Sequence, residues 1–173
     1  MTQFAHDINT ATLKAQTMKD ATTDAEQQAA AQYESIVQML AALDVDYDRL
    51  EELNEKSNDC TIDKDEAEEL AELIAAAGDC TDEDEARDRI MEDPLDIQVR
   101  SDWTNPGEEL TPSEFMILLC TGGPAVRIVG ELDQYGEPCR AWMEYQDWGT
   151  PWTQYFGADS KTLCRYASHF FGY

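Results

Sequence analysis

Acidic side chains are concentrated in one part of this 173-residue chain. Residues 44–96 carry 22 aspartates and glutamates against five lysines and arginines. Residues 1–43 carry five acids and two bases, and residues 97–173 carry ten acids and five bases. The formal net charge is −25, whereas a small domain needs a net charge of only about 2–8 in magnitude to stay in solution. Because such an excess destabilises a compact state by self-repulsion, it needs an explanation.

Composition and sequence pattern exclude several classes of protein. Hydrophobic residues make up 42% of the chain, which is enough for a core, so the chain is not a disordered acidic tail. No apolar run approaches the ~18 residues of a membrane span, and the first residues lack the features of a signal peptide. A field this negative repels phosphate. We therefore expect a cytoplasmic protein that binds neither a membrane nor nucleic acid directly. The five cysteines are expected to be reduced thiols.

The first half of the chain is predicted to be helical. Residues 3–20 have a weak helical period, and Thr23 and Glu26 have the spacing of a capping box. A helix follows with its apolar residues at helical spacing. They are Tyr33, Ile36, Val37, Leu40 and Leu43. A shorter helix starts at Asp46, with Tyr47, Leu50 and Leu53 on one side.

Two similar acidic segments come next. The sequence DCT at 59–61 precedes DKDEAEEL, and DCT at 79–81 precedes DEDEARDRI. Each segment begins with residues that can cap a helix, and acids in a first helical turn interact favourably with the helix dipole. We therefore predict two short acidic helices, ending near Gly78 and Pro94. Their apolar sides are predicted to be Ala67, Leu70, Ala71 and Ile74 in the first helix, and Ala86 and Ile90 in the second.

After Pro94 the hydrophobic period changes to that of strands. The alternation of Leu95, Ile97, Val99 and Trp103 with polar residues predicts a half-buried strand. Residues 114–132 are predicted to form two strands joined by a turn at 121–124, although the first could be a helix because 111–114 also fits a capping box. Another strand is expected over 139–148, and then a C-terminal helix with Leu163, Tyr166, Ala167 and Phe170 on one side.

The predicted fold class is α+β: an acidic N-terminal helical half, then a small antiparallel β-sheet with a C-terminal helix. The predicted regions are 1–93, the acidic helical region, and 94–173, the α+β region. Because carboxylates on capped helices are held in place and can approach the charge density of duplex DNA, we interpret the helical region as a mimic of DNA phosphates. The candidate partner-binding residues are Asp44, Asp46, Asp48, Glu51, Glu52, Glu55, Asp63, Asp65, Glu66, Glu68, Glu69, Glu72, Asp82, Glu83, Asp84, Glu85 and Asp88.

Three further patterns indicate other kinds of site. Residues 44–55 have part of a calcium-binding loop pattern, but the sixth position is Arg49 instead of glycine. Cys60, Cys80 and His169 have side chains of the types that bind zinc, but their spacing is unlike the close ligand spacing of structural zinc sites, which disfavours a zinc site. Six aromatic residues lie within fifteen positions, and their role is either core packing or an interface. They are Trp142, Tyr145, Trp148, Trp152, Tyr155 and Phe156. No nucleophile motif or phosphate-binding loop is present, so no enzyme and no cofactor are predicted.

The segment from Arg89 to Trp152 resembles uncharacterised proteins carried by phages and mobile elements. The resemblance lies in RIMEDPLDIQVRSDW, EFMILLCTGGPAVRIVGELD and EYQDWGTPW. The acidic character of the whole chain is similar to that of anti-defence inhibitors, which include antirestriction and anti-CRISPR proteins that mimic DNA. This resemblance implies action in a bacterial host cell. The similarity to anti-defence inhibitors rests on charge and not on a shared motif, so it transfers no residue role.

Three hypotheses follow. The first is a non-enzymatic inhibitor whose carboxylates enter the basic cleft of a DNA-binding protein or nuclease complex and block it. The second is a mobile-element adaptor or regulatory protein that binds a protein partner through its Trp/Tyr-rich C-terminal surface. The third, an enzyme with an acid-lined metal site, requires one ordered cation with several oxygen ligands. The sequence leaves the partner and the oligomeric state open.

Overall fold

The computed structural model describes residues 24–171, which form five helices and five strands. Helix α1 covers 24–43, and it is followed by α2 (Tyr47–Asn58), α3 (Lys64–Ala77) and α4 (Glu83–Glu92). The strands are β1 (Asp96–Ser101), β2 (Pro112–Cys120), β3 (Ala125–Leu132), β4 (Pro138–Gln146) and β5 (Thr153–Tyr155). Helix α5 (Ser160–Ala167) comes last. The predicted α+β class is confirmed.

Aspartate caps begin each of the three acidic helices. Asp46, Asp63 and Asp82 accept hydrogen bonds from the backbone N–H three residues later in α2, α3 and α4. In α3 the cap is a full capping box, because Glu66 also accepts from the backbone N–H of Asp63. These bonds satisfy donors that a helix cannot use internally, so local sequence is sufficient to define where the acidic helices start.

The five strands form one antiparallel sheet in the order β1-β2-β3-β4-β5. Each strand is therefore a hairpin neighbour of the next, as the predicted turn at 121–124 requires for β2 and β3. The first part of 114–132 is a strand, so the helix that was its alternative does not form. Strand β5, at the opposite edge from β1, was not predicted. It is only three residues long, too short for a periodic pattern.

One face of the sheet carries the hydrophobic core. Inward residues such as Phe115, Ile128 and Met143 pack with α1, α5 and Ile90 of α4 in a single buried cluster. The boundary predicted at 93/94 stays a prediction, and the core draws residues from both sides of it. No helix within residues 24–171 packs on the other face, which we call the open sheet face. It carries Asp96, Gln98, Arg100, Glu114, Met116, Leu118, Arg127, Val129, Glu131, Arg140, Trp142 and Glu144.

Two predictions about buried faces are wrong. Leu95, Ile97, Val99 and Trp103 are exposed, because β1 is an edge strand outside the cluster made by α1 and α5. In α3 the buried residues are Leu70 and Ala77, whereas Ala67, Ala71 and Ile74 face solvent. Apolar residues occur on several sides of α3, so their spacing does not select the side that packs on α2. Ala86 and Ile90 are buried as predicted.

The helix predicted over 3–20 and the Thr23 cap lie outside the described residues. Between residues 24 and 171, no helix is both long enough and apolar enough to cross a membrane.

Candidate acidic interface

Helices α2 and α3 are joined by ion pairs along their seam. Arg49 of α2 donates from Nε and Nη2 to the two carboxylate oxygens of Glu69 on α3, at 3.0 and 2.8 Å. Lys56 lies 2.6 Å from Glu66 on α3, and both bases also contact Glu52 of α2, at 2.8 and 3.0 Å. These contacts raise the pKa of Arg49 and Lys56 and lower the pKa of Glu52 and Glu69. The two bases of α2 are thus engaged inside the α2–α3 seam.

The carboxylates of Asp48, Glu51 and Glu55 occupy another side of α2. Their spacing of three and four residues places them on one helical face, about 4.5 and about 6 Å apart along the axis. All three are exposed. No cationic side chain among residues 24–171 forms an ion pair with any of them. We call these three residues the α2 acidic row.

The α2 acidic row borders a surface groove of about 640 Å³. Tyr47, Ile74 and Ala77 contribute apolar surface to it, and Asp82, the N-cap of α4, lines it as well. A groove with carboxylates at its border and apolar surface inside matches the chemistry of lysine and arginine side chains, which combine an apolar stem with a cationic end. The structure therefore brings four of the seventeen candidate residues to one concave surface.

Helix α4 has its own ion pairs. Arg87 lies 2.5 Å from Glu83 and 3.3 Å from Asp84, one turn away on the same helix. Glu85 accepts hydrogen bonds from both the backbone N–H and the hydroxyl of Thr81, and these bonds lower the pKa of Glu85. Three of the candidate carboxylates in this helix are therefore already engaged.

Taken together, the seventeen candidate residues do not form one continuous array. Seven lie in ion pairs, and they are Asp44, Glu52, Glu66, Glu68, Glu69, Glu83 and Asp84. Of the remaining ten, Asp46, Asp63 and Asp82 cap helices. Asp65, Glu72 and Asp88 lie on α3 and α4 and do not line the groove. The candidate interface is therefore narrower than predicted.

Two contacts from α5 connect the acidic helices to the sheet. Arg165 forms a two-point ion pair with Asp44 just after α1, at 2.8 and 2.5 Å, and its hydrogen bonds lower the pKa of Asp44. The buried Tyr166 donates a 2.5 Å hydrogen bond to Asp93 just after α4. Burial raises the pKa of Asp93, although this hydrogen bond opposes the shift. Adjacent residues of α5 thus hold both ends of the acidic region.

The metal-binding alternatives find no geometric support in the part of the chain that is described. Residues 47–55 are helical, so 44–55 does not form a calcium-binding loop. Across 24–171, no group of three or more His, Cys, Asp or Glu side chains is arranged to hold a metal ion, which includes Cys60, Cys80 and His169.

The aromatic cluster divides between core and surface. Tyr145 is buried in the core, whereas Trp148 and Phe156 are 80% and 85% exposed. The Trp148 indole packs against the turn at 122–123 and donates a hydrogen bond to the carbonyl of Gly122. The alternation of β4 explains part of the division, because Tyr145 shares the inner face with Met143 and Trp142 lies on the other.

The open sheet face contains a network that the sequence did not predict. Arg127 donates to Glu144 at 2.9 and 2.7 Å, and its guanidinium stacks on the Trp152 ring, 4.0 Å from the centroid. Trp142 donates to the other oxygen of Glu144 at 3.0 Å. Arg127 and Glu144 lie opposite each other on the neighbouring strands β3 and β4. The pair depends on the register of these strands, which the sequence does not show.

No protein-family model matches the sequence, and comparisons with curated proteins and with solved structures also give no match. The roles of the candidate residues therefore rest on their geometry.

Proposed function

We propose that this protein is a non-enzymatic inhibitor of the anti-CRISPR or antirestriction kind. It presents helix-borne carboxylates to the basic cleft of a DNA-binding defence complex and blocks entry of DNA. The observation that carries the proposal is the α2 acidic row, three exposed carboxylates on one helical face beside a groove, with the bases of the same helix engaged elsewhere.

The α2 acidic row has the features that a DNA-binding cleft recognises. Its charges recur every ~4.5–6 Å on a helix fixed by an N-cap and by ion pairs to α3, compared with ~3.4 Å along one strand of duplex DNA. Lysines and arginines that hold phosphates can pair with such carboxylates instead. The net charge of −25 accelerates encounter with a positive partner.

Inhibition of DNA cleavage tests the proposal directly. Nucleases from CRISPR and restriction systems are assayed with their DNA substrates at rising concentrations of the protein. We expect inhibition that added DNA overcomes, and that weakens steeply as salt rises from about 0.05 to about 0.5 M. Inhibition that is indifferent to salt and to the DNA concentration would reject the mimicry of phosphates.

A matched pair of triple variants locates the contact. D48N/E51Q/E55Q removes the charges of the α2 acidic row, and D102N/E109Q/E137Q removes three exposed carboxylates of the sheet region. Both change the net charge by the same amount. We expect the first variant to lose at least about tenfold in inhibition and the second to lose little. Equal losses would show that only total charge matters.

A second candidate function uses the exposed aromatic surface. Trp148 and Phe156 are exposed far beyond what core packing needs, and exposed aromatic residues are common anchors in protein interfaces. In this adaptor function, W148A/F156A abolishes partner binding while D48N/E51Q/E55Q does not. The control is W103A/L110A, which removes two exposed apolar side chains from the β1–β2 connection.

A further inference from the structure

Strand β1 leaves one edge of the sheet open. Its outer side pairs with no other strand within the described 24–171. Its residues include neither proline nor lysine, which commonly block such edges. Leu95 and Val99, on the same side as the core, are 60% and 52% exposed. A free strand edge with exposed apolar side chains favours the addition of another strand.

The side chains of β1 are complementary to themselves. In an antiparallel pair, residues directly opposite each other share a face and interact. If Gln98 lies opposite Gln98 of a second copy, Asp96 lies opposite Arg100 and Ile97 lies opposite Val99, and each pair occurs twice. The two neighbouring registers that keep the same faces put Gln98 opposite Asp96 or opposite Arg100, and so lose both charge pairs. Charge therefore selects one register.

The groups that this register requires are in place on the open sheet face. Arg100 contacts Glu114 on β2 with one nitrogen, Nη2, and its side chain is otherwise largely exposed. A guanidinium has five N–H donors, so it can bind a second carboxylate on its other side. Asp96 accepts from Gln98 Nε2 at 2.7 Å and is also exposed. A second copy would therefore extend a charge row that already runs from Glu114 to Arg100.

We propose that two copies of this protein pair antiparallel along β1, with Gln98 at the twofold axis, and form one continuous ten-stranded sheet. Self-complementary surfaces are what a twofold dimer needs. Two chains of charge −25 repel each other, so the dimer strengthens as salt shortens the screening length below about 10 Å. This salt response is opposite to that of inhibitor binding, so the dimer and the inhibitor function succeed or fail separately.

Charge reversal tests the register. In sedimentation velocity at about 0.5 M salt, the wild-type chain is expected to rise with concentration from 19.5 kDa towards twice that mass. D96R and R100D each place like charges opposite each other and are expected to sediment as monomers. An equimolar mixture of D96R and R100D restores both opposite-charge contacts and is expected to form a heterodimer. A wild-type monomer, or dimers in both single variants, would overturn the proposal.

A second pair of variants tests the edge itself. V99K puts a charge at the strand interface and is expected to lose the dimer, whereas L110K adds the same charge in the exposed β1–β2 connection and is expected to keep it. Hydrogen exchange of the β1 amides that point away from β2 should slow as wild-type protein is concentrated. Protection of these outward amides in the monomer would mean that another part of the same chain covers the edge, which would also overturn the proposal.

Discussion

The acidic helices and the open sheet face use arginine–glutamate pairs in different ways. In the helices, Arg49 and Lys56 are engaged in the α2–α3 seam, so the carboxylates beyond the seam dominate the surface. On the sheet, Arg100, Arg127 and Arg140 each meet one glutamate, so these three bases are matched by three carboxylates. The excess of acids makes the helical region negative, and the placement of its few bases decides which of its sides carries that charge.

Removal of Arg127 should have the largest effect on stability. R127A leaves Glu144 without its cation and removes the stacking on Trp152. Glu144 is only 19% exposed, and a poorly solvated carboxylate without a partner is costly. We expect the free energy of unfolding, measured with urea, to fall by about 2–3 kcal/mol.

R49A is the matched control for R127A. The two arginine side chains are equally exposed, at 28%, but Glu69, the partner of Arg49, is 44% exposed. When Arg49 is removed, water can therefore solvate the Glu69 carboxylate and replace much of the stabilisation that the ion pair gives. We expect a smaller decrease that disappears near 1 M salt, whereas the effect of R127A persists. Equal effects of the two variants would remove the distinction between the regions.

The next effect tests the connection between the two regions. Y166F removes the hydroxyl that donates to Asp93 but keeps the buried ring. Because Asp93 is partly buried and loses its donor, unfolding should become easier by about 1–2 kcal/mol. Urea unfolding followed separately by Trp fluorescence and by far-ultraviolet circular dichroism measures it. A change below about 0.3 kcal/mol would mean that this hydrogen bond does not hold the acidic region.

A smaller effect depends on pH. Burial raises the pKa of Asp93 in the folded protein above its ordinary value of 3.8. Asp93 therefore contributes stability that is fully present below 3.8 and is lost as pH rises through the raised pKa. D93N cannot ionise, so the stability of wild type minus that of D93N should fall as pH rises from 3.8 through the raised pKa of Asp93. A difference that rises over this range would contradict the direction of the shift.

The smallest effect concerns repulsion within the α2 acidic row. E51Q/E55Q removes two like charges one turn apart, and Glu55 lies in the second half of α2, where a carboxylate opposes the helix dipole. We expect the melting temperature to rise by about 1–3 °C at low salt and not at high salt. E109Q/E137Q is the control. A rise of the same size in the control would assign the effect to total charge.

Much of the fold could be predicted because its signals are local. Caps such as Asp46 and Asp82 define helix starts, and alternation in 114–132 defines two strands and their turn. Which helices cover a sheet face depends on contacts between distant parts of the chain, so no local signal predicts it. The alternation in β1 shows that Ile97 and Val99 share a side, but no sequence pattern shows that the covering helices stop short of them.

The sequence predicts which helices carry the candidate site but not which of their carboxylates remain available for a partner. The spacing of Asp48, Glu51 and Glu55 already marks one face of α2. Contacts over long separations decide which acids remain available, such as Arg49 with Glu69 and Arg165 with Asp44. Each depends on how helices pack, and charge counting cannot distinguish a carboxylate in such a contact from one that is fully solvated.

The position of Arg165 and Tyr166 has a consequence for synthesis of the chain. A ribosome makes the acidic helices first and the two residues that attach them to the sheet more than seventy residues later than Asp93. During translation the acidic segment therefore lacks these two contacts and is held by its caps, by the α2–α3 seam and by apolar packing such as that of Ala86 with Ala42. The ion pair and the hydrogen bond that tie both of its ends to α5 form only after α5 has emerged.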